Sequence, residues 1–372
     1  MKRGLGRNET CWCGSGRKYK KCHLRAEERP PWRPEEVAAR FRRAHSRRVC
    51  MVSDRGGCSK TIAKAHTIGK RMCLQAIAEA GHVYGFAAPA GNHMHPEGAS
   101  GVVRVGLNRA SAFTGFCTTH DNKLFRVLDT CPFTGTPEQC ALLAYRAFAR
   151  ELYAKKAANL LARGMRPGGK GIPRHILRDM EDARASHLVG NELGLRDSQV
   201  HFDAYRVLVE SGAFDRIRAL VVRLRRVPDL MAAGGEFPMF DFNGSMLQDI
   251  GDPELMPAAL AHACIPAEWG GTFALIWRRE DHRILERFAA TLEAVGPTGL
   301  PDAIVRFVTS SCENVFFRPS WWNQLPPDER RLIQSRLRAA ADPSLPVFPN
   351  LLVDDGHRVV DWSIDGISRV GW

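Results

Sequence analysis

The chain has 372 residues, 44% of them hydrophobic and 25% charged, a composition typical of a globular protein with two or three domains. Because it has no run of eighteen apolar residues and no apolar segment after the first basic residues, we expect neither a membrane span nor a secretory signal. The net charge of +13 is concentrated at one end, since residues 1–71 contain 20 Lys and Arg against 6 Asp and Glu, which favours a polyanionic partner.

Near the N-terminus, four metal-binding side chains occur within thirteen residues: Cys11, Cys13, Cys22 and His23. Three thiolates and one imidazole complete a tetrahedral zinc shell and leave no position for a substrate. The Gly14-Ser15-Gly16 segment allows a tight turn, because glycine adopts positive φ at little cost. A segment this short has no core of its own, so metal binding would supply its folding free energy.

Residues 7–25 resemble the SEC-C zinc motif, named for the C-terminus of the Sec translocase ATPase. Each metal-ligand position of that motif is filled in order, as are the Gly-Ser-Gly turn and the basic residues around Tyr19. The resemblance implies a structural zinc and a small docking finger, which in the translocase contacts a secretion chaperone and the ribosome. It implies no particular reaction.

A proline-rich segment, residues 30–34, follows the finger and is expected to isolate it as a stiff linker. A helix is predicted from Glu35 to about Arg48, with acidic residues in its first turn and basic residues in its last. Two interpretations fit this helix equally well: its basic side chains are only solvated, or they contact phosphates. The side chains expected to contact nucleic acid are Arg17, Lys18, Lys20, Lys21, Arg40, Arg42, Arg43, Arg47 and Arg48.

A second region rich in cysteine and histidine covers residues 50–135. Cys58, His66, Cys117 and His120 form two pairs that one zinc ion would join into another closed four-ligand site. The alternative is buried cysteines with hydrogen-bonded histidines. With eleven cysteines, several of them at metal-ligand spacing, the chain fits a reducing cytoplasm and two zinc ions better than a disulfide framework.

A catalytic alternative rests on residues 65–68 and 116–121, which are similar to the ββα-metal lobe of His-Asn-His nucleases. That resemblance implies that His66 is a general base acting on water while Mg²⁺ or Mn²⁺ holds the scissile phosphate. Cys58, Cys117 and His120 would then hold a structural zinc. The two hypotheses exclude each other, because a histidine bound to zinc is not a free base.

Beyond residue 135 the patterns predict helices first and strands later. Residues 88–96 read as a long loop, and residues 102–105 as a strand. Apolar periodicity predicts helices over 137–163, 174–190, 197–223 and 281–292. Runs rich in β-branched residues predict strands over 271–277 and 303–309 and a terminal hairpin within 347–372.

These expectations define an α+β protein with five regions. They are a zinc finger (1–29), a proline linker and basic helix (30–49), a zinc-stapled lobe (50–135), a helical region (136–226) and a mixed β C-terminal domain (227–372). The first hypothesis is a cytoplasmic zinc-binding protein that docks through its basic N-terminal region to nucleic acid, the ribosome or a chaperone. The second is a metal-dependent nuclease, such as one acting against foreign DNA. The sequence leaves open whether the chain is an enzyme.

Overall fold

The structure is a computed structural model that describes residues 5–87, 101–164, 168–342 and 345–372. It confirms the α+β class, with long helices and a large sheet. The predicted loop over 88–96 lies outside the described residues. Within the described part of the chain, no helix is both long enough and apolar enough to cross a bilayer.

Ten α-helices are found in the described residues. They are α1 (Leu24–Glu28), α2 (Pro34–His45), α3 (Gln75–Ile77), α4 (Thr118–Thr130), α5 (Pro137–Gly164), α6 (Arg174–Ser211), α7 (His282–Ala294), α8 (Gly296–Ser311), α9 (Pro319–Gln324) and α10 (Pro327–Ala341).

The strands form two antiparallel sheets. They are β1 (Ala65–His66), β2 (His82–Ala87), β3 (Gly101–Gly106), β4 (Ala112–Phe113), β5 (Ile217–Leu224), β6 (Leu230–Glu236), β7 (Leu260–Ala267), β8 (Gly270–Arg278), β9 (Val315–Phe317) and β10 (Ile364–Val370). β1 pairs with β4, and the other eight form one sheet in the order β10-β5-β8-β7-β6-β9-β2-β3. The large sheet therefore takes strands from three of the regions proposed from the sequence.

Contacts divide the chain into two compact units. Unit 1 consists of Met1–His45 and Lys155–Arg196, and unit 2 of Ser46–Ala154 and Asp197–Trp372. Unit 1 contains the N-terminal cysteines, α1, α2 and parts of α5 and α6. Unit 2 contains both sheets and the remaining helices.

The core of unit 2 lies on both faces of the large sheet. On one face, Phe288 of α7 and Phe307 of α8 pack in a single cluster with Phe273 and Leu275 of β8. On the other face, a β-carbon added at Gly235 of β6 would lie 2.9 Å from the Phe148 ring of α5. Helices therefore cover both faces, which explains why the central strands are apolar throughout instead of alternating.

Several predicted elements are found. The strands over 102–105 and 271–277 correspond to β3 and β8, and the helices over 137–163 and 281–292 correspond to α5 and α7. The helix predicted from Glu35 is α2, which ends at His45, three residues earlier than expected.

Three predictions along the C-terminal half are wrong. Residues 303–309 are helical and belong to α8. The prediction failed because this part of the helix is completely buried, so its sequence lacks the apolar periodicity that identifies a helix. The helices predicted over 174–190 and 197–223 are one helix, α6, which ends near Gly212 (φ 69°), and residues 217–224 form β5. Residues 347–372 contain a single described strand, β10, which pairs with β5 and not within a hairpin.

Candidate metal centres

The four ligands predicted near the N-terminus meet in one cluster. The ligand atoms of Cys11, Cys13, Cys22 and His23 all lie within 4.8 Å of one another. His23 Nδ1 is 3.1 Å from Cys11 Sγ and 3.3 Å from Cys22 Sγ, and the Sγ atoms of Cys13 and Cys22 are 3.6 Å apart. Metal–sulfur bonds of about 2.3 Å place tetrahedral ligands about 3.8 Å apart, so a single ion fits between these four atoms.

A short turn builds this cluster. The backbone N–H of Cys11 donates to Arg17 O (2.8 Å), and that of Gly14 donates to Cys11 O (3.3 Å). Gly14 and Gly16 adopt φ values of 75° and 67°, as the glycine turn predicted. A one-turn 3₁₀ helix beginning at the buried Tyr19 then brings Cys22 and His23 back to the first two cysteines.

The thiols of this cluster differ in acidity. Burial raises the pKa of Cys11 to about 11. Burial also opposes ionisation of Cys13, but hydrogen bonds from Ser15 and the neighbouring thiols outweigh it and lower the pKa of Cys13 to about 6. Thiolates are the form that binds metal, so the hydrogen bonds that lower the pKa of Cys13 also favour metal binding there.

The finger is not isolated by its proline linker, in contrast to the prediction. Within unit 1, Arg174 at the start of α6 donates to Tyr19 Oη (3.0 Å) and to Glu27 Oε2 (3.1 Å). The backbone N–H of Gly169 donates to Ala26 O (2.7 Å). A β-carbon at Gly168 would lie 2.1 Å from Pro30 O, so only glycine allows this approach.

A second cluster forms in unit 2 from Cys50, Cys58, Cys117 and His120. His120 Nδ1 lies 3.3 Å from Cys50 Sγ, 3.6 Å from Cys58 Sγ and 3.3 Å from Cys117 Sγ. These separations match those of the first cluster. The cluster is again three sulfurs and one imidazole nitrogen, a set that closes a tetrahedral site.

The start of α4 positions two of these ligands. Cys117 is the N-cap residue, and its Sγ accepts a hydrogen bond from the backbone N–H of His120. An N-cap residue and the third residue of a helix lie next to each other, so both side chains are directed to the same point. Burial opposes ionisation of Cys117, but donors from His120 and Ser59 outweigh it and lower its pKa to about 6.

Main-chain pairing brings the other two ligands to α4. The backbone N–H of Met51 donates to Gly115 O, and that of Thr118 donates to Thr61 O, at 2.9 and 3.0 Å. These bonds place Cys50 and the loop that carries Cys58 on either side of Cys117. A side-chain hydrogen bond of 2.8 Å between Ser59 and Thr118 secures the loop.

His66 is not a member of this cluster, and Cys50 occupies the place that the sequence assigned to it. His66 lies on β1, opposite Ala112 of β4, with Nε2 3.3 Å from Leu107 O. Burial lowers the pKa of His66, while the backbones of Leu107 and Lys64 favour its protonated form. Among the described residues, neither metal-binding group includes His66.

The predicted nucleic-acid contacts are accessible in the structure. Eight of the nine side chains are exposed and Lys20 is half-buried. The Arg40 guanidinium stacks 4.2 Å above the Trp32 ring, and Arg48 donates to Ile62 O. Arg47 and Arg48 belong to unit 2, and the other seven belong to unit 1.

The two clusters define a protein with two candidate Cys₃His metal centres. The first of them also matches a known family model, because residues 7–25 match the model of the SEC-C motif. That match covers the finger alone and says nothing of unit 2. No curated protein and no solved structure matches the chain significantly.

Proposed function

We propose that the chain is a cytoplasmic zinc-binding protein that docks through unit 1 onto a polyanion, with nucleic acid or ribosomal RNA as the partner. Zinc is the ion that suits a closed set of three thiolates and one imidazole, and the four ligands leave no open position for substrate at either centre. All eleven cysteines lie in the described residues and none forms a disulfide, which fits a reducing compartment. Both zinc ions therefore have structural roles in this proposal.

The docking proposal rests on how charge is divided between the units. The residues of unit 1 include 22 Lys and Arg against 9 Asp and Glu, a net charge of +13. The whole chain also has a net charge of +13, so unit 2 is neutral. Residues 155–196 contribute +5 to the net charge of unit 1, so part of its basic character comes from outside the first fifth of the chain. A small unit carrying the entire charge excess concentrates polyanions at its surface.

Salt dependence tests this docking. Lys and Arg that neutralise phosphates release condensed counterions, so affinity should fall steeply as salt rises. We expect the full-length protein to bind a short RNA or DNA duplex, measured by fluorescence anisotropy, with an affinity that drops roughly 100-fold or more between 50 and 200 mM salt. Absence of binding at 50 mM salt to single- and double-stranded RNA and DNA would reject the proposal and favour a protein partner, such as a chaperone, for the finger.

A nuclease remains the second candidate, because the structure leaves His66 outside the ligand set. A general base needs a ring nitrogen whose lone pair reaches water. Burial lowers the pKa of His66 and so favours the neutral ring, but Nε2 lies 3.3 Å from Leu107 O and is directed at the main chain. Its geometry therefore opposes this role.

For this reason we expect the purified protein to leave plasmid DNA and RNA uncut in the presence of Mg²⁺ or Mn²⁺. His66→Ala should retain both zinc ions, since His66 binds neither. Divalent-dependent cleavage by the wild type that disappears in His66→Ala but persists in His82→Ala, a histidine of the same region, would establish the nuclease instead.

A further inference from the structure

The metal-binding histidine of the finger contacts a carboxylate about 160 residues away in sequence. His23 Nε2 lies 3.1 Å from Glu181 Oε1 on α6, and both side chains are more than nine-tenths buried. Neither of these two atoms has an aligned hydrogen-bond partner among the described residues, so each is a buried polar atom whose nearest charged neighbour is the other. The other carboxylate oxygen of Glu181 accepts a hydrogen bond of 2.7 Å from Arg184 Nε.

The two ring nitrogens of His23 therefore face different groups. Nδ1 faces the sulfurs of Cys11 and Cys22, and Nε2 faces Glu181. An imidazole that binds an ion through Nδ1 carries its proton on Nε2, and that N–H requires an acceptor. A carboxylate in this position fixes the tautomer and the ring orientation of the ligand.

We propose that Glu181 is a positioning residue for the metal of the finger, and that it makes α6 part of this metal centre. The inference rests on the proposed zinc in the finger. Arg184 supplies the positive charge that a buried carboxylate needs, so Glu181 has a charged partner that does not depend on the metal. The metal and α6 then stabilise each other, because any contact that strengthens metal binding is in turn strengthened by it.

Other contacts between the finger and the start of α6 support this coupling. Arg174 contacts Tyr19 and Glu27, and the backbone of residues 169–170 bonds to that of Ala26 and Arg29. A β-carbon at Gly169 would lie 2.8 Å from Leu177 of α6 and 3.1 Å from Glu27 Cα of the finger, so Gly169 lies closely between the two. The finger is thus held by a surface in which Glu181 provides the contact to a metal ligand.

Three variants separate a positioning role from a general loss of charge. Glu181→Ala removes the acceptor, Glu181→Gln keeps an oxygen that accepts from Nε2–H, and Asp182→Asn removes one charge from an exposed neighbour on the same helix. Cadmium-113 NMR of the cadmium-loaded full-length protein should give one signal for each cluster. Adding a chelator in steps then reports the affinity of each centre separately.

We expect Glu181→Ala to weaken the ion of the finger by roughly 10- to 100-fold, with the second centre unchanged. Glu181→Gln should weaken it by less than about tenfold, and Asp182→Asn should leave both centres within about twofold of wild type. If Glu181→Ala unfolds and loses both ions, the comparison of Glu181→Gln with Asp182→Asn tests the inference. Only Glu181→Gln should then shift the cadmium signal of the finger.

Finger affinity that is unchanged in Glu181→Ala, or shifts of equal size in Glu181→Gln and Asp182→Asn, would overturn the inference. Two bound ions in the wild type would still support the proposed function in that case. A wild-type protein that binds no ion at the finger would instead contradict the proposed function itself.

Discussion

Replacing Cys117 with serine and His120 with alanine together should remove one zinc ion per chain and unfold the region around the start of α4. Structural zinc contributes an apparent free energy of about 10 kcal/mol or more at neutral pH, and a domain has a net stability of about 5–15 kcal/mol. The loss is therefore comparable with the entire stability of unit 2. We expect the melting temperature, measured by circular dichroism, to fall by more than about 10 °C.

Local structure explains why this region depends on its ion. β1 and β4 contain two residues each, and the loop that carries Cys58 is exposed. Cys131→Ser with His82→Ala is the matched control, because it changes one cysteine and one histidine of the same region outside the cluster. The control should keep two ions and a nearly unchanged melting temperature. Equal effects of the two double variants would contradict a metal centre at Cys117 and His120.

Reversing four charges on unit 1 should nearly abolish polyanion binding. Arg17, Lys18, Lys21 and Arg42 are all exposed, and their replacement by glutamate lowers the net charge of unit 1 from +13 to +5. Each phosphate that the variant no longer neutralises reduces the slope of log affinity against log salt by about one. We expect the affinity at 50 mM salt to fall by roughly 100-fold or more, together with a shallower slope.

A control with the same change in total charge distinguishes a docking surface from a general effect. Lys123, Arg279, Arg283 and Arg287 are exposed residues of unit 2, and their replacement by glutamate also changes the net charge by −8. This variant should keep the wild-type salt slope and most of the affinity. If both variants lose binding to the same extent, unit 1 is only a solvated basic surface.

Deleting the first 56 residues is the test of docking that the sequence alone suggests, and the structure argues against it. Removing the first 56 residues leaves Cys58 and the later cysteines, and the sequence alone gives no reason for the rest to lose its fold. The structure shows that this deletion removes Cys50, a member of the second cluster, and the half of unit 1 that packs against residues 155–196. Point substitutions on the surface are therefore the better test of docking.

The first centre was predictable from the sequence because its geometry is local. All four ligands lie within thirteen residues, and Gly14 and Gly16 mark the turn between them. Its contact with Glu181 was not predictable, since it depends on how α6 packs in unit 1. Asp179, Glu181 and Asp182 are close together on α6, yet Asp179 and Asp182 are exposed and only Glu181 is buried.

The second centre depends on pairing between segments about 65 residues apart. The spacing of Cys117 and His120 identifies them as a pair of ligands, because the side chains of a helix N-cap residue and of the third helical residue lie next to each other. Spacing does not identify Cys50, which reaches the cluster because Val49 and Met51, on either side of it, donate backbone hydrogen bonds to Thr114 O and Gly115 O. Cys50 and His66 are equally far from Cys58 in the sequence, so spacing does not choose between them, and the pairing of β1 with β4 directs His66 to Leu107 instead.

Two of the secondary-structure errors, at residues 303–309 and at the residues of β5, have a common physical cause. β-Branched and apolar residues fill both α8 and β5, so local composition does not separate a buried helix from a buried strand. Packing decides between them. α8 lies against the sheet and is buried along residues 300–310, whereas β5 lies between β10 and β8 inside it.

Elemental analysis of the purified full-length protein tests the central claim most directly. Inductively coupled plasma mass spectrometry, with protein concentration from amino-acid analysis, should give two zinc ions per chain. Cys50→Ser should lower this ratio to one, and Cys73→Ser, a buried cysteine outside both clusters, should leave it at two. A wild-type ratio of one, or a ratio of two that survives in Cys50→Ser, would contradict the account.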